Sequence, residues 1–174
     1  TRPLDEQFRL DRDSYRTQIR YLFENSAFYQ RKLREAGFDD PAAVGDLEDI
    51  ARLPFTEKDE IRATQAEAPP FGDHLAVAPE RLRRVFSTSG TTGVPCYLGL
   101  TERDLDMYAT NVARGYTAAG FAPGQRLAVG FNAGPFVAGA VYYGFDKIGC
   151  AVIPVGTGNT ERLVSAIINL RATG

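Results

Sequence analysis

The second half of the chain, residues 81–174, alternates short apolar runs with amphipathic segments, and this order limits the possible folds more than any other feature. The runs suited to strands cover residues 83–88, 97–100, 126–131 and 150–154. Helical patterns follow Thr101 and Thr160, which are both suited to cap a helix. Strands that alternate with helices are typical of a mostly parallel sheet covered by helices. The sequence therefore predicts an α/β fold.

The first half, residues 1–80, carries helical patterns and few strand signals. Asp13 or Ser14 is suited to cap a first helix, and Ser26 a second. A capping-box variant at residues 56–59 predicts another short helix. An aromatic stripe in this half is expected to pack onto the sheet domain: Tyr15, Phe23, Phe28 and Tyr29.

The Pro- and Gly-containing loop at residues 68–72 is the clearest internal boundary. We therefore predict a helical N-terminal segment over 1–80 and an α/β subdomain over 81–174. The last helical pattern ends in a typical helix-to-strand junction with no strand after it. This predicts that the chain is the front part of a larger domain.

Charge and composition narrow the class of partner. The 174 residues carry a formal charge of −2, from 20 basic and 22 acidic side chains. This balance gives no electrostatic reason to expect nucleic acid or an anionic membrane as a partner. The uncharged stretch 127–145 contains Asn132, Pro135 and several glycines, which favours a strand, a loop and a helix over a membrane span. Because residues 1–13 are charged, we expect no signal peptide and a cytoplasmic location.

Metal and thiol chemistry have few candidate residues. The chain has two cysteines, Cys96 and Cys150, and one histidine, His74. These residues lack the ligand set of a structural zinc site, and we predict no metal ligands. We expect His74 to lie at the surface or in a loop, and Cys96 to be a small buried strand residue.

One polar run stands out at the end of the first predicted strand: Ser87-Thr88-Ser89-Gly90-Thr91-Thr92-Gly93-Val94-Pro95. Glycines let a backbone approach a ligand closely, successive amides form an anion-binding concavity, and hydroxyl groups add donors. This combination suits a polyphosphate, although the run is not a Walker A loop. The alternative is an ordinary polar hairpin turn.

The run resembles the phosphate-binding loop of the adenylate-forming enzymes, which include acyl-CoA synthetases, peptide-synthetase adenylation domains and firefly luciferase. Five other segments look like the phenylacetate–coenzyme A ligase branch of that superfamily. They are residues 25–29, 53–58, 70–72, 101–105, and 152–154 followed by 158–162. The resemblance extends from about Tyr15 to Leu170.

The resemblance implies an aryl-acid–CoA ligase, which uses Mg-ATP to convert an aromatic carboxylate to an acyl-adenylate and transfers the acyl group to coenzyme A. ATP, Mg²⁺ and coenzyme A are the implied cofactors, and a homodimer is an expectation from the family alone. The implied phosphate-binding residues are Ser87, Thr88, Ser89, Gly90, Thr91, Thr92 and Gly93. The implied acid pocket after the strand at 126–131 includes Phe131, Asn132, Gly134 and Phe136. Ordinary core packing is the alternative for this second group.

Two departures from the family pattern bear on activity. Val94 stands where the family loop usually has lysine, which removes one charge that would face phosphate. The catalytic lysine and the adenine and ribose contacts are expected outside the chain, and Lys147 does not occupy the catalytic position. We therefore expect the chain to be inactive without a C-terminal part. The alternatives are a non-catalytic nucleotide- or phosphate-binding fragment, and an adenylating enzyme that passes the acyl group to a carrier-protein thiol.

Overall fold

The computed structural model describes residues 2–88, 93–131 and 137–174. The chain forms two compact units, Thr1–Glu80 and Arg81–Gly174. Helices α1, α2 and α3 of the first unit span Leu4–Asn25, Ala27–Glu35 and Lys58–Glu67, with short 3-10 helices at Pro41–Val44 and Leu47–Arg52. The second unit contains strands β1 (Arg84–Ser87), β2 (Tyr97–Leu100), β3 (Arg126–Val129) and β4 (Ala151–Pro154). Its helices are α4 (Glu102–Ala118), α5 (Val141–Ile148) and α6 (Thr160–Asn169).

Helix α1 begins earlier than the predicted caps at Asp13 and Ser14. It starts after Pro3, and Asp5 and Glu6 lie in its first turn, where acidic side chains favour the positive end of the helix dipole. Ser14 lies within the helix, and its hydroxyl donates to the Leu10 carbonyl at 2.8 Å. The predicted cap of α2 is confirmed, because the Ser26 hydroxyl accepts from the Tyr29 amide at 3.3 Å.

The helical unit has a core of its own. Its buried side chains are Tyr15, Ile19, Phe23, Leu33, Phe38 and Val44. Tyr15 and Phe23 of the aromatic stripe therefore pack inside the helical unit, because α1 covers α2 and the 3-10 segments that follow. The expectation of a face for the sheet domain is therefore corrected at these two side chains, which belong to the core of the helical unit.

His74 is less exposed than the sequence predicts. It lies in a loop, but it is half-buried, and its Nδ1 atom has no hydrogen-bond partner among the residues that the structure describes. Asp73 anchors the loop, since its carboxylate accepts from the Thr64 hydroxyl at 2.6 Å and its carbonyl accepts from the Phe28 amide at 3.2 Å. Burial lowers the pKa of His74 below its ordinary value of 6.5, and the charge of Asp73 only partly opposes this effect.

We expect the free energy of unfolding to fall as the pH drops below 6.5, because the unfolded chain protonates its single histidine before the folded chain does. Above pH 6.5 this contribution to stability is fully present. Denaturant unfolding at a series of pH values measures the slope. The carboxylates with a lowered pKa, Asp49, Glu60 and Asp73, lose their contributions only below 4.5.

The control for this prediction is His74→Gln, which stays neutral at every pH. The free energy of unfolding of the variant should change less with pH than that of the wild type over the same pH range. Equal slopes in the two proteins would contradict the proposed origin of the effect.

The α/β fold class is confirmed, but the strands pair differently from one continuous parallel sheet. β1 and β2 are antiparallel, with Ser87 opposite Tyr97, whereas β3 and β4 are parallel, with Val129 opposite Pro154. The connection between β1 and β2 covers only residues 88–96. Parallel strands need a crossover of roughly a dozen residues or more, so this short connection favours a hairpin.

Strand β3 and helix α5 supply most of the buried core of the second unit, and helix α4 packs against it. The predicted cap at Thr101 is confirmed, and it forms a capping box: the Asp104 carboxylate accepts from the Thr101 amide at 2.8 Å and the Thr101 hydroxyl accepts from the Asp104 amide. Tyr116 of α4 makes edge-to-face contacts with Phe121 and Phe145. The buried members of this core are Leu127, Val129, Phe145 and Cys150.

The last residues of the chain run beside β3, on the edge that β4 leaves open. Gly174 donates its amide to the Arg126 carbonyl at 3.3 Å and accepts from the Ala128 amide at 2.9 Å. These slanted bonds to the residues on either side of Leu127 are the pattern of parallel neighbours.

In the described parts of the chain, no helix combines the length and the apolar character needed to cross a bilayer.

Candidate functional site

The polar run predicted to hold phosphate lies in the connection between β1 and β2. Ser87 is buried at the end of β1, and Thr88 follows it in a half-buried position. The Thr88 amide donates to the Cys96 carbonyl at 3.0 Å, and the Thr88 hydroxyl accepts from the Cys96 amide at 3.1 Å. Four of the predicted ligands lie outside the described residues: Ser89, Gly90, Thr91 and Thr92.

Gly93 and Val94, at the end of the run that leads into β2, are exposed. Gly93 has a φ of +137°, and a β-carbon built there would meet no atom of the described residues within 4 Å. Only glycine adopts this backbone conformation readily, so the backbone rather than crowding requires glycine at this position. The Val94 side chain is 70% exposed. The position where the family usually has lysine therefore faces solvent.

The second candidate region lies where β3 and β4 end. The Val129 carbonyl accepts from the Val155 and Gly156 amides at 3.0 and 3.2 Å, so the loops after both strands start at one edge of the pair. Ligands of open α/β sheets bind at such carboxyl ends. Of the predicted pocket residues, only Phe131 is described; Asn132, Gly134 and Phe136 are not.

Phe131 packs against Tyr142, a residue that sequence reasoning missed. Their rings meet edge to face with centroids 5.6 Å apart, and the Tyr142 hydroxyl donates to the Phe131 carbonyl at 3.2 Å. Burial raises the pKa of Tyr142. Phe131 therefore contributes to the packed core as well as to the strand end, and its pairing with a residue on α5 has no local sequence signal.

The loop at residues 156–160 caps α6, but through a different residue from the one predicted. Asn159, rather than Thr160, is the N-cap, and its side-chain oxygen accepts from the Arg162 amide at 2.7 Å. Asn and Thr are both favoured at N-caps, so residue type alone does not separate the two neighbouring positions.

Two charged features belong to the same unit. Arg84 of β1 donates from Nε to the Tyr143 hydroxyl at 2.6 Å. Lys147 pairs with Asp106 of α4. Among the described residues, no three His, Cys, Asp or Glu side chains are grouped as a metal site.

Comparison with known proteins identifies relatives over nearly the whole chain. A phenylacetate–coenzyme A ligase of Thermus thermophilus is 38% identical over 172 residues, which are 98% of this chain and 37% of that protein. The Escherichia coli phenylacetate–coenzyme A ligase is 34% identical over 168 residues, 96% of this chain and 37% of that protein. No protein-family model matches the chain.

A solved structure of 2-hydroxyisobutyryl-CoA ligase, in complex with 2-HIB-AMP and CoA, superposes with a TM-score of 0.90 at 30% identity. The match covers 99% of this chain and 37% of that one. The chain thus spans little more than a third of the length of the proteins it matches.

Over the part that it spans, the chain has the α/β fold of the adenylate-forming CoA ligases. Within that superfamily it is a relative of the phenylacetate–coenzyme A ligases, and the resemblance predicted from its motifs is confirmed.

Proposed function

We propose that the chain is the phosphate-binding part of an aryl-acid–CoA ligase. The observation that carries this proposal is the Ser/Thr/Gly run at residues 87–93, whose base is closed between Thr88 and Cys96 in a chain related to phenylacetate–coenzyme A ligases. In the longer protein, a carboxylate oxygen attacks the α-phosphorus of ATP and pyrophosphate leaves. The thiol of coenzyme A then attacks the acyl carbon, and AMP leaves.

The role proposed for this chain is to position the phosphates of ATP and to neutralise their negative charge. We propose that the loop from Ser87 to Gly93 holds the β- and γ-phosphates, with Mg²⁺ sharing their negative charge. Donors fixed in advance around a polyphosphate stabilise the charge that moves to the leaving group. The positive φ of Gly93 fits a backbone that approaches a ligand closely.

An aromatic acid is favoured as the substrate by two observations. The relatives named for phenylacetate are 34–38% identical to the chain, whereas the solved structures named for 2-hydroxyisobutyryl-CoA ligase are 28–30% identical. The ring of Phe131 also lies at the carboxyl end of β3, against Tyr142. We place the acid pocket there, together with Asn132, Gly134 and Phe136.

Domain organisation and assembly form part of the same proposal. The compact units Thr1–Glu80 and Arg81–Gly174 support a helical N-terminal segment and an α/β subdomain within the longer protein. A C-terminal part supplies the catalytic lysine. Transfer to a carrier-protein thiol, and phosphate binding without catalysis, remain the two alternative functions.

The first test is calorimetric titration of the chain with magnesium pyrophosphate, MgATP and MgAMP. We expect pyrophosphate and ATP to bind and AMP to bind much more weakly, because AMP lacks the phosphates assigned to the loop. Equal binding of AMP and ATP, or no binding of pyrophosphate, would contradict the phosphate-binding proposal.

The second test uses the full-length protein. Carboxylate-dependent ATP–pyrophosphate exchange with phenylacetate should exceed exchange with 2-hydroxyisobutyrate. Adding coenzyme A or a carrier protein separately then identifies the acyl acceptor. Pyrophosphate binding without exchange would favour the non-catalytic alternative.

A further inference from the structure

The base of the phosphate loop is closed by a side chain as well as by the backbone. Thr88 and Cys96 are the pair that follows Ser87 and Tyr97 along the antiparallel register. The Thr88 amide donates to the Cys96 carbonyl at 3.0 Å, as in an ordinary ladder. The return bond goes from the Cys96 amide to the Thr88 hydroxyl oxygen at 3.1 Å.

The use of a side-chain acceptor changes where the hydrogen-bond ladder between β1 and β2 ends. In a regular hydrogen-bonded pair of antiparallel strands, the two residues exchange two backbone bonds. Here the Thr88 side chain takes the place of its own carbonyl as the acceptor. The two strands therefore stay joined at Thr88 and Cys96, while the Thr88 carbonyl does not receive the return bond from the Cys96 amide.

A threonine hydroxyl suits this place for two reasons. Its oxygen accepts a hydrogen bond, which the methyl group of an otherwise similar valine cannot do. Cys96 is only 3% exposed, so an amide there that loses its acceptor has little water to replace it. The closure of the loop base between Thr88 and Cys96 therefore depends on the Thr88 hydroxyl.

We infer that Thr88 is a positioning residue of the phosphate loop, whose hydroxyl holds the Cys96 amide and thereby sets the loop geometry that polyphosphate meets. The inference rests on the proposed function. It changes the role expected for Thr88 from a phosphate ligand to a residue that acts through the closure of the loop.

The experiment compares Thr88→Val and Thr88→Ser with the wild-type chain. Thr110→Val is the matched control, because the Thr110 hydroxyl donates to the Asp106 carbonyl within α4 and is remote in sequence from the loop. Thr88→Ala serves as a second variant without the hydroxyl if the valine variant does not fold. Hydrogen exchange at the Cys96 amide and the NMR shifts of residues 89–95 are measured without ligand, and the dissociation constant is measured with magnesium pyrophosphate.

In the valine variant, we expect exchange at the Cys96 amide to rise about fivefold, the change that the loss of one ordinary hydrogen bond brings. The amide shifts of the loop should move in the absence of ligand, and pyrophosphate should bind about five- to tenfold more weakly. Thr88→Ser should restore all three properties, and Thr110→Val should leave them unchanged.

Three results would overturn the inference. Weaker pyrophosphate binding with unchanged exchange and unchanged ligand-free shifts would make Thr88 a direct phosphate ligand. Faster exchange with unchanged binding would make the closure irrelevant to phosphate. No pyrophosphate binding by the wild type would remove the proposed function, while exchange at Cys96 would still report whether the hydroxyl closes the loop.

Discussion

Replacing Thr91 and Thr92 together by alanine is expected to lower the rate of ATP–pyrophosphate exchange in the full-length protein by about a hundredfold or more. The two residues form the centre of the Ser/Thr/Gly run. Their hydroxyl groups are proposed to donate to the β- and γ-phosphates, whose charge increases as the bond to the α-phosphate breaks. The loss of donors positioned for that charge affects the transition state more than folding.

The double variant is measured beside Thr110→Ala, which removes a hydroxyl from α4 instead. Circular dichroism and thermal unfolding should give the same fold and nearly the same melting temperature for all three proteins. An exchange rate within a factor of two of wild type in the double variant would show that the loop hydroxyls do not carry the chemistry.

Replacing Gly144 by alanine is expected to lower the free energy of unfolding of the α/β unit by about 1–3 kcal/mol, as overpacking of a core does. Gly144 is buried on α5, where α5 packs against α4. A β-carbon there would overlap the Val112 side chain and lie 3.3 Å from the Ala113 amide nitrogen. Because the Ala113 nitrogen belongs to the backbone of α4 and cannot rotate away, α4 and α5 would have to separate.

Gly115→Ala is the matched control, since Gly115 lies in α4 and a β-carbon there meets no atom within 4 Å. An alanine in an exposed helix position should raise stability by roughly 0.5–1 kcal/mol. Urea unfolding followed by circular dichroism measures both variants. Equal effects of the two substitutions would contradict the close approach of α4 and α5.

The helix ends show how far local sequence reasoning reaches. The caps at Ser26 and Thr101 were predicted correctly, because each cap bonds an amide only three residues away. The start of α1 was missed, since its first turn is stabilised by Asp5 and Glu6 rather than by a capping side chain. The cap of α6 was placed one residue late, because neighbouring Asn and Thr are both suited to that position.

The candidate site also has features that the sequence predicts and features that only the structure shows. The motif at residues 87–95 and the strand end at Phe131 were evident from residue types and their order. The partners of Thr88 and Phe131 were not, because Cys96 and Tyr142 meet them only after the chain has turned back. No spacing rule relates a loop residue to the particular amide that its side chain will bind.

The sequence alone determined the order of helices and strands and the family that the chain resembles, since periodicity, turn residues and motifs act over a few neighbouring positions. Only the tertiary structure decided that β1 and β2 pair as a hairpin, that Tyr15 and Phe23 are buried within their own unit, and that the Thr88 hydroxyl accepts from the Cys96 amide. The reason is that these features depend on contacts between segments distant along the chain, whose energies no local pattern records.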